Sequence, residues 1–159
     1  MLFSVIGHYS LILGLFIGLI LIFFSIKNFR SSINLDTKIL SFTFLQFILV
    51  VVSFLCLILS FVFSDFSNET VFNNSHTTKP LFYKIAGTWG NHEGSLLLWL
   101  FVLTLFILVF LLRSKSQPIK YKILTLLFQQ IIIIGFFVFI KNKKINRVKT
   151  SNQSNKLPS

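Results

Sequence analysis

The residue types able to do chemistry in this chain gather in one stretch, Gly87-Thr88-Trp89-Gly90-Asn91-His92-Glu93-Gly94-Ser95-Leu96-Leu97-Leu98-Trp99. It holds both tryptophans, one of three histidines, one of four carboxylates and three of seven glycines. His92 followed by Glu93 resembles the opening of a zinc-binding His-Glu-x-x-His helix, where two imidazoles one turn apart share a metal. The second ligand is missing, because position 96 is Leu96, so no metal site is expected within this chain alone. Hydrogen bonding and stacking remain. Asn91 has the side chain of a helix N-cap, and Glu93 would sit in the first turn, where the helix dipole favours negative charge. Gly87, Gly90 and Gly94 permit tight turns or close backbone approach. Trp89 and Trp99 suit the headgroup belt of a bilayer. A capped helix start flanked by belt aromatics accounts for most of these residues, but it does not require this order of Trp, Asn, His and Glu.

Two isolated residues are weaker candidates. His8 lies one to two turns inside the first apolar run and reads as an interfacial or packed histidine rather than a haem or metal ligand. Cys56 is the single cysteine and lies within an apolar run, so the chain has no internal disulfide framework.

The elements that must position these groups are set by composition. Of 159 residues 54% are hydrophobic and 12% charged, with 21 phenylalanines and a mean hydropathy of +0.82. Such a chain has too little polar surface to coat a water-soluble core, so the expected fold is all-α and polytopic, with about four transmembrane helices. The spans are read at 2–26, 39–63, 95–112 and 123–140, forming a membrane domain over 1–140 with a long polar loop over 64–94. The first run has no charge, is too long for a signal-peptide core and is followed by no small-residue cleavage site, so it reads as a retained span.

Polar residues within the spans form stripes. Gly7, Ser10, Gly14 and Gly18 could make a small-residue face for close helix approach, or be scattered small residues. Gln46, Ser53 and Ser60 repeat at seven-residue spacing, with Cys56 one turn from Ser53, and are expected to face protein rather than hydrocarbon. The fourth span carries Gln129, Gln130 and Gly135. Within the loop, residues 80–86 suit a short interfacial helix with Pro80 at its first position. The segment 141–159 is basic and poor in apolar residues, and is expected to be disordered alone.

The formal charge of +11 reports topology rather than nucleic-acid binding, since no nucleic-acid motif accompanies it. The first connector carries Lys27, Arg30 and Lys38 against Asp36, and the second carries Arg113, Lys115, Lys120 and Lys122. In the long loop Lys79 and Lys84 are balanced by Asp65, Glu69 and Glu93. The positive-inside rule puts both short connectors on the cytoplasmic or matrix side and the loop on the opposite, outer face. Four spans put the tail on the outer face too, although it holds six basic residues and no acids. Either one span does not cross, or a partner holds the tail outside.

At this point the residues carry a resemblance. Thr88 to Trp99, with the upstream runs Phe61-Val62-Phe63-Ser64-Asp65-Phe66-Ser67 and Lys79-Pro80-Leu81-Phe82-Tyr83-Lys84, is similar to the amino-terminal part of CcmF-type proteins. These are the haem lyase subunits of cytochrome c maturation (system I), related to bacterial proteins of nitrite reductase maturation. The resemblance covers residues 40 to 112 well and the first helix loosely, and the chain after Ile140 departs from it. It implies a membrane subunit of an assembly that attaches haem to apocytochrome c on the outer face of the inner membrane. The implied partners are apocytochrome c and other lyase subunits, one bearing a tryptophan-rich haem-handling segment, in a lipid bilayer. Haem would be handled by the assembly, because the family's tryptophan-rich segment and haem-ligating histidines have no matching positions here. The resemblance extends to the first piece of lyases encoded in pieces in plant and some protist mitochondria, and the Phe, Ile, Asn and Lys bias suits an AT-rich organelle genome, or equally an AT-rich bacterium. Trp89, Gly90, Asn91, His92, Glu93, Gly94 and Trp99 are the expected functional cluster, with no catalytic residue assigned. A structural subunit of a respiratory complex is the alternative, and a transporter fragment or haem-delivery module ranks third.

Overall fold

The computed structural model describes residues 2–28, 36–66, 68–76, 80–114 and 117–154. These form six helices and, among the described residues, no strand: α1 (Leu2–Asn28), α2 (Asp36–Val62), α3 (Glu69–Asn74), α4 (Leu81–Gly87), α5 (His92–Arg113) and α6 (Ile119–Ser154). Four stretches are long and apolar enough to cross a membrane, Leu2–Lys27, Thr37–Val62, His92–Arg113 and Lys120–Phe139. At 1.5 Å per residue even a 20-residue stretch covers about the 30 Å of a hydrocarbon core.

Several boundaries differ from the sequence reading. Helix α5 begins at His92 rather than 95, because the Asn91 side chain caps it three residues earlier. Helix α6 begins right after Pro118, whose carbonyl accepts from the Tyr121 and Lys122 N–H groups, so the basic turn before 123 is already helical. Its backbone then stays helical through Ser154, past the expected end at 140, across a stretch with no Gly or Pro to stop it. The 64–94 segment is not all loop. The short helix expected after Pro80 is present as α4, with Pro80 as its N-cap, and α3 is an additional turn capped by Asn68, whose Oδ1 accepts from Thr70 N–H at 3.1 Å. Asx caps before short helices read as turn signals in sequence, so α3 was not anticipated.

The four long helices close into a bundle in which α1 packs on α2 and α6, and α5 packs on α2 and α6. Two apolar clusters fill it. One holds Ile17, Leu21, Ile39, Ile107 and Leu126, and the other Val50, Leu97, Leu100, Ile133 and Phe137. Outward residues such as Phe16, Phe44, Phe106 and Phe128 are more than half exposed, as a lipid-facing surface would be.

Between the clusters lies a polar layer. Gln46 Nε2 donates to Gln130 Oε1 at 3.2 Å, and Gln130 Nε2 donates back to Gln46 Oε1 at 2.8 Å. Gln46 also reaches the Gly14 carbonyl at 3.3 Å, and Gln129 donates to the Leu103 carbonyl at 2.6 Å. Both Gln46 and Gln130 are fully buried, as are Ser53 and Ser60, so the α2 polar stripe faces protein as the spacing predicts. Small residues on α1 make room for this layer. A Cβ at Gly18 would lie 2.9 Å from Gln46 Nε2, one at Gly7 3.2 Å from the Cys56 Cβ, and one at Gly14 3.3 Å from the Phe137 ring. The stripe on α1 is a helix-packing face.

Candidate functional site

The stretch from Gly87 to Trp99 forms the corner between α4 and α5, at the bundle end shared by the start of α1 and the end of α2. Asn91 organises it. Its Oδ1 accepts from the Gly94 N–H at 2.7 Å, closing the first turn of α5, while its Nδ2 donates to the carbonyls of Gly87 at 2.8 Å and Thr88 at 3.2 Å. One amide side chain thus ties the last turn of α4 to the first of α5. A simple N-cap needs only the acceptor; the two donated bonds explain why this position uses an amide.

Gly94 has a separate reason. A Cβ there would lie 1.5 Å from the Thr88 carbonyl oxygen, so the corner can fold back on the helix only if position 94 has no side chain. Gly87 sits against the Phe61 ring, and Gly90 N–H donates to the Ala86 carbonyl at 3.0 Å, extending the turn beyond α4. Thr88 is fully buried, and its hydroxyl makes no hydrogen bond among the described residues.

The remaining members of the expected cluster point in two directions. Trp89, His92 and Trp99 are exposed. His92 packs edge-on against Phe139 of α6, ring centroids 6.1 Å apart. Trp99 follows His92 by seven residues, with Phe106 and Arg113 at the next two repeats, and all four are exposed along one line of α5. Glu93 turns the other way. Its Oε2 accepts a short hydrogen bond from the Thr70 hydroxyl, and the side chain lines a cavity of about 370 Å³. The expected single cluster is therefore an outward aromatic and imidazole face and an inward carboxylate, joined by the Asn91–Gly94 corner.

The cavity was not legible from the sequence. Its wall draws Phe3, His8 and Leu11 from α1, Ser53, Cys56 and Ser60 from α2, Asn68 and Thr70 from the α3 cap, and Glu93 and Leu97 from α5. His8 reaches it although its ring is itself exposed. No other histidine lines it, and among the described residues no three His, Cys, Asp or Glu side chains converge as a metal-binding group. Short α3 lays Thr70 over the start of α5, and α4 presents Leu81, Phe82 and Tyr83 outward, each more than half exposed, while Lys84 donates to the Ser64 hydroxyl at 2.8 Å.

Comparison with known proteins places this architecture. No family model matches the chain. The cytochrome c-type biogenesis protein CycK of Rhizobium meliloti is 38% identical over 138 residues, covering 84% of this chain. The cytochrome c-type biogenesis protein CcmF of Haemophilus influenzae is 33% identical over 135 residues, again 84% of this chain. A solved structure of the cytochrome c haem lyase CcmF superposes on 85% of the chain with a TM-score of 0.77 at 24% identity, which establishes the shared fold. The chain spans about a fifth of the length of the relatives it matches, 20% of the first and 21% of the second.

Proposed function

Taking the chain as a relative of the CcmF-type cytochrome c biogenesis proteins over most of its own length, we propose that it is the amino-terminal membrane piece of a cytochrome c haem lyase. The observation that carries this reading is the alignment of 84% of the chain with CycK at 38% identity. The assembled reaction adds cysteine thiols of apocytochrome c across haem vinyl groups, forming thioether bonds on the outer face of the inner membrane. Placement dominates the protein's contribution to such a step, because the reacting groups must be held in one geometry.

Among the described residues, none of four cavities on the bundle brings two imidazoles together. His8 lines the cavity with no second histidine, and His92 is stacked edge-on against Phe139. From the family resemblance we assign haem handling to the assembly, through a partner subunit bearing a tryptophan-rich segment, and scaffold and docking to this chain. The exposed line of His92, Trp99 and Phe106, with Trp89 above it, is the surface that would meet that partner. The mitochondrial inner membrane is the proposed location, as for lyases encoded in pieces.

The test is purification of the tagged protein in mild detergent, with partners identified by mass spectrometry and haem assayed on the same sample. Recovery of a tryptophan-rich, histidine-bearing membrane subunit with haem supports the reading. Recovery of respiratory subunits without haem or apocytochrome overturns it in favour of a structural role.

A further inference from the structure

At the bundle end opposite the Gly87–Trp99 corner, α5 ends and α6 begins around a groove of about 460 Å³. Its floor is apolar, from Phe106, Val109 and Phe110, and its head is polar, from Arg113, Ser114, Gln117 and Tyr121. Ser114 is only 6% exposed, yet its hydroxyl has no hydrogen-bond partner among the described residues. Its backbone is already committed, since its N–H donates to the Phe110 carbonyl at 2.9 Å and its carbonyl accepts from the Gln117 N–H at 3.0 Å. A buried hydroxyl without a partner is costly, and an occupant of the groove would supply one. Ser25, Ser75 and Thr88 share this state, but Ser114 differs in standing next to a cation on a groove wall.

The charges here favour an anion. Arg113 is exposed and makes no hydrogen bond or ion pair among the described residues. No acid lines the groove, and the one acid in the two short connectors, Asp36, stands in the other connector with Lys27, Arg30 and Lys38. Gln117 and Tyr121 bracket the start of α6 at Ile119, so the positive end of that helix dipole lies at the same place. Arg113 offsets the dipole at the end of α5 whatever binds there, but that role asks nothing of Ser114 or Gln117. The floor adds a second requirement. Phe106 and Val109 are exposed, and the Tyr121 ring lies 6.3 Å from that of Phe110, so the occupant carries hydrocarbon beside its charge. Arg113 closes one spanning stretch and Lys120 opens the next, which sets the polar head of the groove where lipid headgroups meet acyl chains. Phosphate is the anion of that layer, and its oxygens suit a guanidinium and a hydroxyl donor together.

We propose that this groove binds the phosphate of an anionic membrane lipid, with Arg113 as counter-ion, the Ser114 hydroxyl and Gln117 amide as donors, and an acyl chain laid on Phe106, Val109 and Phe110. The inference does not depend on the lyase reading, since it uses only the groove, and a structural subunit would carry the same site. A free phosphate anion shares the chemistry of the head but not that of the floor.

The test titrates the purified full chain in dodecylmaltoside with phosphatidylglycerol and follows the first bound lipid by native mass spectrometry. Phosphatidylglycerol should bind about tenfold tighter than phosphatidylcholine, whose phosphate is paired with its own ammonium. Arg113→Gln should abolish that preference. Ser114→Ala deletes only an unpaired hydroxyl, so the fold is kept, and binding should weaken about fivefold. Lys38→Gln removes a positive charge at the same end of the bundle but outside the groove, and should change binding by less than about twofold. Inorganic phosphate has the charge without the chain and should not displace the lipid at equal concentration; if it does, the floor is idle, the ligand is a free anion and the lipid assignment falls. Equal binding of the two lipids, equal losses in Arg113→Gln and Lys38→Gln, or undiminished binding in Ser114→Ala overturns the proposal.

Discussion

Replacing Asn91 separates a simple helix cap from the corner clamp described here. An ordinary N-cap uses only a side-chain acceptor, and Asn, Asp and Ser serve almost equally well. Asn91 accepts once and donates twice, at 2.7, 2.8 and 3.2 Å. Loss of the cap costs about 1 kcal/mol. Each donated bond to a part-buried carbonyl adds about 1 kcal/mol, so Asn91→Ala should destabilise the fold by about 3 kcal/mol if water does not replace the bonds. Asn91→Asp is the sharper variant. It keeps the acceptor for Gly94 but removes both donors and sets a carboxylate against two carbonyl oxygens, at a cost of about 2 kcal/mol. The assay is reversible unfolding in mixed dodecylmaltoside and dodecyl sulfate micelles, read by helicity and by the fluorescence of Trp89 and Trp99, which flank the corner. Stability should fall in the order Asn, Asp, Ala. An Asn91→Asp protein within about 0.5 kcal/mol of the parent would refute the clamp and leave an ordinary cap.

Other outcomes follow from the same packing. Gly94→Ala should cost about 3 kcal/mol or more, because the Thr88 carbonyl occupies the place of the new methyl; Gly135→Ala, with nothing within 4 Å, should be neutral or stabilising by up to about 1 kcal/mol in the same unfolding assay. A double-mutant cycle with Gln46→Leu and Gln130→Leu should give a coupling of about 1 kcal/mol, the usual range for interhelical amide contacts in membranes, and zero coupling would show that the two amides find other partners. In cells, Trp89→Ala with His92→Ala should lower haem attachment to cytochrome c while leaving the level of this chain unchanged, since both side chains are exposed; unchanged attachment would remove the outward face from the function. With Cys56 replaced, single cysteines at Asn73 and at Asn142 should react with an impermeant thiol reagent from the same side of the membrane.

How much of this was legible in the sequence depends on the reach of each interaction. The spans were, since hydropathy is summed locally, and so were the α5 cap and the short helix after Pro80. The inward face of α2 was legible too, because Gln46, Ser53 and Ser60 share one helix side whatever packs there. Their partners were not. The Gln46 and Gln130 amides lie 84 residues apart, and no periodicity links them. Gly94 reads as one of three permissive glycines in a turn, and only the folded corner shows Thr88 against it. The cavity needs residues from four elements, among them the α3 cap, which short-range pattern reads as loop. A motif that looks like one cluster in sequence is divided because adjacent residues at a helix start face about 100° apart, sending Glu93 inward while His92 faces out.

The charge conflict in the topology has a structural side. The His92 ring at the start of α5 meets Phe139 at the end of the fourth span, so both helix ends lie at the same end of the bundle. The helix leaving Phe139 therefore emerges beside the α3–α4 segment, and its basic run from Lys141 lies on the loop's side even though both short connectors are basic as well. Of the two ways out of the conflict, an uncrossed span would have to break the closed packing of α6 on both α1 and α5. Four crossing spans keep every contact and leave the positive-inside preference to be overcome in the basic run after Phe139. The buried Gln130, Ile133 and Phe137 hold α6 in the bundle along its length.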